Sequence, residues 1–291
     1  MDYILSQIVN GLCQGAIYAL IAIGYSVVAG VTGMVTFTHG EVMMIGALAS
    51  FEVFMCAGNN LLLGILAGFA ASWLLGILVY KLCYERFFDA PPYISLLCTI
   101  GFSMLVKNIV QAVVGSDKKP ILEIMEIHNF HIGPVQISNL QLIIVFVVIV
   151  LAVGLSLIFK KTRWGIALRA VSKNKKAANL VGINVKRTAM LGNCIGCGLG
   201  GVAGVLLAVY YQTFYATMGG SISLKAFTSS LLGGLTDMRF SALGGMCIGL
   251  AENIGIAFSS SNYRDIFAFV FLLLVLMIRP QGFAKSRKEK V

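Results

Sequence analysis

Four long stretches of this chain, Tyr3 to Gly40, Val53 to Tyr80, Val135 to Phe159 and Thr188 to Leu224, contain no Asp, Glu, Lys or Arg. A bilayer crossing needs about 20 mostly apolar residues, so each stretch can cross and some can do so more than once. A soluble fold is excluded on the same ground. Hydrophobic residues are 58% of the 291 and charged residues 12%, which leaves too little polar surface to keep such a chain in water. The runs are continuous, whereas barrel strands alternate over about 10 residues, so closed backbone hydrogen bonding points to helices. The expected fold is an all-α integral membrane protein.

Spans are expected near 4–30, 41–57, 60–81, 93–114, 139–159, 188–211, 240–258 and 263–279, with a short apolar piece at 224–236 that crosses or enters as a half-helix. That makes a bundle of eight or nine transmembrane helices. With 5 Pro, no linker and no low-complexity tract, residues 1–291 are expected to form one transmembrane domain. The opening Met1-Asp2-Tyr3-Ile4-Leu5 lacks the basic region and cleavage pattern of a removable signal peptide, so the first span is expected to remain.

The net charge of +10 would suit nucleic acid, but its distribution does not. Nine Lys or Arg and no acid lie between Lys160 and Arg187, five more lie in Arg279 to Val291, and Lys81 and Arg86 share a short loop. Basic residues gathered between apolar runs belong to headgroups and cytoplasm. These loops and the C-terminus are therefore expected inside, and Ser116 to Ile137, with Asp117, Glu123, Glu126, His128 and His131, outside. The N-terminus is expected outside too, and Tyr210, Tyr211 and Tyr215 fit an aromatic belt at the outer edge.

The seven Cys lie in or beside spans, where a thiol acts as a small hydrophobe. Cys194-Ile195-Gly196-Cys197 has no second pair and no His beside it, so packing is the expected role and no metal site is proposed. Gly192, Gly196, Gly200 and Gly204 recur every fourth residue, a strip on which another helix can approach closely. No His, Cys or carboxylate set has a catalytic spacing, so no catalytic residue is named.

Three sets of residues remain as candidates. Thr36-Phe37-Thr38-His39-Gly40-Glu41 follows the Gly30 and Gly33 break and opens a helix. There Glu41 can cap the orphan amides or line a solute path. Glu52, Lys107, Lys225 and Glu252 place charge inside spans, where it is costly unless paired or facing water; an interhelical pair is the expected account, with Lys107 snorkelling and Glu252 reaching an interface. The third is the loop from Thr162 through Gly165, Arg169, Ala170, Lys173, Lys176 and Ala177 to Gly182. Arg169, Lys173 and Lys176 share one helical face, and Ile166, Ala170, Ala177 and Val181 another, giving a short amphipathic helix suited to a partner's groove.

In order and spacing, several segments resemble one family, the LivH-type permeases of branched-chain amino acid ABC importers. They are Gly15-Ala16-Ile17-Tyr18-Ala19-Leu20, Thr38-His39-Gly40-Glu41 through Gly46-Ala47, and Thr99-Ile100-Gly101-Phe102-Ser103. Further on come Thr162-x-x-Gly165-x-x-x-Arg169-Ala170, Gly182-Ile183, Lys225-Ala226-Phe227 with Leu232-Gly233-Gly234, and Arg279-Pro280-Gln281-Gly282. The resemblance implies a multi-pass subunit of the bacterial plasma membrane. Its implied partners are a second homologous permease, two cytoplasmic ATP-binding subunits and an extracytoplasmic substrate-binding protein, in surrounding lipid. The loop Thr162 to Ile183 then resembles the family's cytoplasmic coupling segment. Thr38, His39, Gly40, Glu41 and Glu52 become the candidate solute path or gate. The chain has no G-x-x-x-x-G-K-[ST] phosphate loop, so it is expected to bind no cofactor itself, with ATP and Mg on the partner ATPases. Thr36 stands where the family usually has Asn, and Glu52 lies in a usually apolar stretch, so an amide or urea permease stays open. So does a self-sufficient ion-coupled carrier or channel using Glu52, Lys107 and Glu252.

Overall fold

The structure, a computed structural model, describes residues 2–88, 90–121, 128–132, 135–258 and 264–278. The helices in chain order are α1 (Asp2–Thr32), α2 (His39–Ala57), α3 (Leu61–Val79), α4 (Pro92–Val114), α5 (Asn139–Lys161), α6 (Arg163–Lys173), α7 (Lys175–Leu180), α8 (Val185–Tyr211), α9 (Met218–Leu232), α10 (Met238–Ala257) and α11 (Arg264–Ile278). Local chemistry sets many of these bounds. Asn60 Oδ1 accepts from the amides of Leu62 and Leu63 at the start of α3, and Ser138 with Gln141 forms a capping box at the start of α5. Gly58 and Gly115 end α2 and α4 at φ of 82° and 91°, a region that side chains avoid. α3 runs on into a π-helical turn, Tyr80–Glu85, whose Tyr80 hydroxyl donates to the Lys186 carbonyl at 2.8 Å.

Among the described residues seven helices are long and apolar enough to cross a membrane: α1, α2, α3 with its π turn, α4, α5, α8 and α10. The protein is thus a helical membrane protein. α9 and α11 have 15 residues each, about 22 Å at 1.5 Å per residue, against a hydrocarbon core of about 30 Å. The segments outside the spans hold two short antiparallel pairs that the all-helical expectation did not contain. β1 (Lys119–Pro120) joins β4 (Thr213–Phe214), and β2 (Asn129–Ile132) joins β3 (Val135–Ser138). The basic tail and its Arg279-Pro280-Gln281-Gly282 lie outside the described residues.

α1 and α8 are almost wholly buried, α1 packing on α8 and α10 and α8 also on α2 and α3, while α3, α4 and α5 turn most of their surface outward. Lipid tails are as apolar as Leu, so close van der Waals packing has to hold such helices together. The glycine strip of α8 supplies it. A methyl group at Gly196 would lie 2.5 Å from the Gly24 carbonyl oxygen, and one at Gly204 2.1 Å from that of Met43, while Gly192 meets Val31 and Gly200 meets His39. The strip therefore runs from α1 onto α2.

The two ends of the bundle are built differently. At one end the β1–β4 pair is extended by the Ile121 amide donating to the Gln212 carbonyl, and Gln141 donates to Asn10 at 2.7 Å. Tyr211 is only half-buried there, and its hydroxyl accepts from Arg264. At the other end Lys160, Arg169 and Lys173 line one cavity with Thr236 to Arg239. The segment 213–236, of which α9 is the helical part, thus runs from the first end to the basic one.

Candidate functional site

The chain between α1 and α2 turns inside the bundle. His39, the first residue of α2, packs edge-on against the Tyr25 ring at 5.6 Å and lies beside Gly24 and Gly200. Gly24 is about 12 Å short of the end of α1, so α2 begins part-way through the helical core. Irregular backbone at that depth survives only where protein satisfies it. Here the Tyr25 hydroxyl accepts from the Thr36 amide at 3.1 Å, and the hydroxyls of Thr36 and Thr38 pair at 2.8 Å. The Phe37 carbonyl accepts from Ser223 of α9 at 2.7 Å. The first turn of α2 also meets the first turn of α9: a methyl at Gly40 would sit 1.9 Å from the Gly219 carbonyl oxygen.

Glu41 is buried at this junction and is not a capping residue. Its Oε1 accepts from Ser103 of α4 at 3.4 Å, and its Oε2 has no hydrogen-bond partner. Thr38 makes no side-chain cap either. The positive ends of α2 and α9 thus converge on one orphan carboxylate oxygen, while the unpartnered Nε2 of His39 lies beside Gly24 and Gly200. Thr38, His39, Gly40 and Glu41 come together with the glycine strip and with two serines, Ser103 and Ser223, that sequence reasoning had not assigned. Glu52 does not join them. It is exposed on α2, 11 residues and about 16 Å beyond Glu41, and so lies apart from this cluster.

Two of the intramembrane charges pair with each other. Lys225 Nζ lies 2.6 Å from Glu252, whose side chain is 0% exposed, and 2.8 Å from Asp265, which is 52% exposed. Gln14 Nε2 and the Tyr18 hydroxyl both donate to Glu252 Oε2, at 2.8 and 3.1 Å, and Asn253 donates to Gln14 at 2.7 Å. The sequence separations are large, which hid the pairing. Glu252 therefore does not reach an interface, because Lys225 and this network hold it in the core. Of the residues named for an ion-coupled carrier, Glu252 is thus paired, Glu52 exposed and Lys107 half-buried.

The basic loop folds as two helices, not one. Asn174, in extended conformation, ends α6 and caps α7 by accepting from the Ala177 amide at 3.0 Å. Asn in that role stops a helix because its side chain replaces the next backbone acceptor. Thr162 caps α6 through the Gly165 amide at 3.0 Å, and Gly182 ends the segment at φ 84°. Leu168, Val171 and Ala178 are buried against the bundle and Ala170 is half-buried, whereas Arg169, Lys173, Lys176 and Ala177 face outward. So do four large apolar residues, Trp164, Ile166, Leu180 at 88% and Val181 at 76% exposure. Lys175, unassigned from the sequence, reaches back from α7 to donate to the Thr32 carbonyl at the end of α1, and its ammonium lies 4.4 Å from the Phe88 ring.

A family model described as branched-chain amino acid transport system / permease component matches residues 7–276. The chain belongs to this family. The permease is 36% identical over 301 residues to the high-affinity branched-chain amino acid transport system permease protein BraD of Pseudomonas aeruginosa, covering 99% of this chain and 98% of that one. It is 32% identical over 302 residues to the corresponding LivH protein of Escherichia coli K12, with the same coverage. A probable LivH permease of Methanocaldococcus jannaschii shares 25% over 280 residues, 90% of this chain and 87% of the other. No solved structure matches the permease.

Proposed function

We propose that this chain is the membrane-spanning permease subunit of an ATP-driven importer for the branched-chain amino acids Leu, Ile and Val. The near-full-length likeness to proteins so named carries the reading. In it the chain works as one transmembrane domain in the bacterial plasma membrane. It pairs with a second homologous permease, takes solute from an extracytoplasmic binding protein, and binds no cofactor, ATP and Mg residing on two cytoplasmic ATPases. The seven crossing helices with α9 and α11 make nine crossings, an odd number that suits an outside N-terminus and a cytoplasmic C-terminus. The solute path runs along the seam of α2 and α9, past Thr38, His39, Gly40 and Glu41, where helix N-termini in mid-bundle offer the dipole ends that transporters use toward charged groups.

The coupling surface is the outward face of α6 and α7: Arg169, Lys173 and Lys176 interleaved with Trp164, Ile166, Leu180 and Val181. Lys175 connects it to the path. Its ammonium holds the carbonyl end of α1, where the helix dipole is negative, directly before the irregular segment that leads to His39 and Glu41. Movement of α7 by an ATPase therefore pulls on the start of α2.

Gentle extraction from the native membrane tests both steps. Wild type should bring down ATPases and a second permease. Arg169→Glu should lower ATPase recovery on the order of tenfold, because charge reversal at an interface rim opposes the complementary partner. Lys175→Met should keep the ATPases bound while amino acid uptake falls to background. Unchanged recovery with Arg169→Glu would remove this face from docking, and normal uptake with Lys175→Met would remove the lever. Uptake by the purified chain alone, driven by an ion gradient, would overturn the importer reading itself.

A further inference from the structure

At the basic end of the bundle a groove of about 550 Å³ opens between α5, α6 and α10 over the flank of α1. Its wall is apolar, formed by Ile23, Val27, Leu155 and Phe159 among others, and its mouth carries Lys160, Arg169, Lys173 and Arg239. The salt bridges among the described residues are those of Lys225, so none of these four cations has a carboxylate partner there. Ser26 lines the floor at 1% exposure, and its hydroxyl has no hydrogen-bond partner. A buried hydroxyl in a helix ordinarily finds an acceptor. This one faces the groove.

We infer that the groove binds one anionic phospholipid of the cytoplasmic leaflet, its phosphate on Lys160 and Arg239 at the mouth and its glycerol and acyl portion along the apolar wall over Ser26, which leaves Arg169 and Lys173 to the docking face. Three features select that ligand. The mouth lies where the positive-inside pattern places the headgroup layer, and basic pockets between spans at that level take lipid phosphates. The wall is suited to acyl chain, each buried methylene adding to affinity. A zwitterionic amino acid is disfavoured because its ammonium would need a carboxylate. The acid lining the groove, Asp237, is committed to capping α10 by accepting from the Arg239 amide at 3.0 Å.

Native mass spectrometry of the full-length chain, exchanged into equal amounts of phosphatidylglycerol and phosphatidylcholine, reads the site directly. Wild type should retain one phosphatidylglycerol per chain in preference to phosphatidylcholine. The exposed pair Lys160→Gln/Arg239→Gln, which removes two cations from the mouth, should lower that retention roughly tenfold. Lys81→Gln/Arg86→Gln, with the same loss of charge on the same side but away from the groove, should leave it at the wild-type level. Equal retention of the two lipids overturns the proposal. So does unchanged retention in the groove variant, or an equal fall in both variants, which would show general headgroup attraction. Loss of the lipid when a second permease co-purifies would assign the groove to that protein instead.

Discussion

Lys225→Met is expected to destabilise the folded protein by about 3–5 kcal/mol, because removing one member of a buried ion pair leaves the other charged and unpaired. Glu252 has no exposed surface, and the two neutral donors that remain, Gln14 and Tyr18, do not replace a cation. Glu252→Gln should cost distinctly less. Lys225 would still pair with Asp265, which is half exposed and partly solvated, and the new amide can still accept from Gln14 or Tyr18. The double variant Lys225→Met/Glu252→Gln should recover most of the loss. Thermal midpoints in detergent, taken as a double-mutant cycle, decide this. Equal losses for the two single variants, or no recovery in the double, would mean that the pair does not hold α9, α10 and α11 as described.

Gly40→Ala is the second large effect, and it probes the seam assigned to the solute. The added methyl would meet the Gly219 carbonyl oxygen at 1.9 Å, Ser223 Cβ at 2.7 Å and the Ser223 amide at 2.8 Å. Two of these are backbone atoms of α9, so no rotamer change relieves the clash and the helices must separate. Overpacking of this kind costs about 1–3 kcal/mol or more, and separation also moves Glu41 away from Gly219. Uptake should fall to background with a lowered thermal midpoint. Gly154→Ala, at a site with nothing within 4 Å, should leave both near wild type. Wild-type uptake in Gly40→Ala would show that α2 and α9 do not meet this closely during transport.

Glu52 and Glu41 show how far sequence reasoning reached at the site. Both are single carboxylates in apolar runs of α2, and hydropathy treats them alike. Glu41 is enclosed because α2 starts inside the bundle and α9 and α4 close over it, whereas Glu52 lies on the outward side. Neither α9's approach nor Ser103's has a local signature. Asn174 is a different case: it is a visible helix-stop residue, yet the charge periodicity of Arg169, Lys173 and Lys176 runs smoothly across it and so suggested one helix. Lys175 was hidden by its setting, one cation among nine in the loop.

The sequence by itself determined that the chain is a helical membrane protein, where its seven long apolar helices begin and end to within a few residues, which loops are basic, and that one helix carries a glycine strip. These follow from hydropathy, local capping and charge counted along the chain, which depend on near neighbours. Tertiary structure alone decided that Lys225 pairs with Glu252, that α2 and α9 meet at their first turns over Glu41, and that Lys175 holds the end of α1. Those contacts join residues 27, 179 and 143 positions apart. Which apolar helices become neighbours depends on shape and close packing, since lipid and protein interior are alike to a hydrophobic side chain.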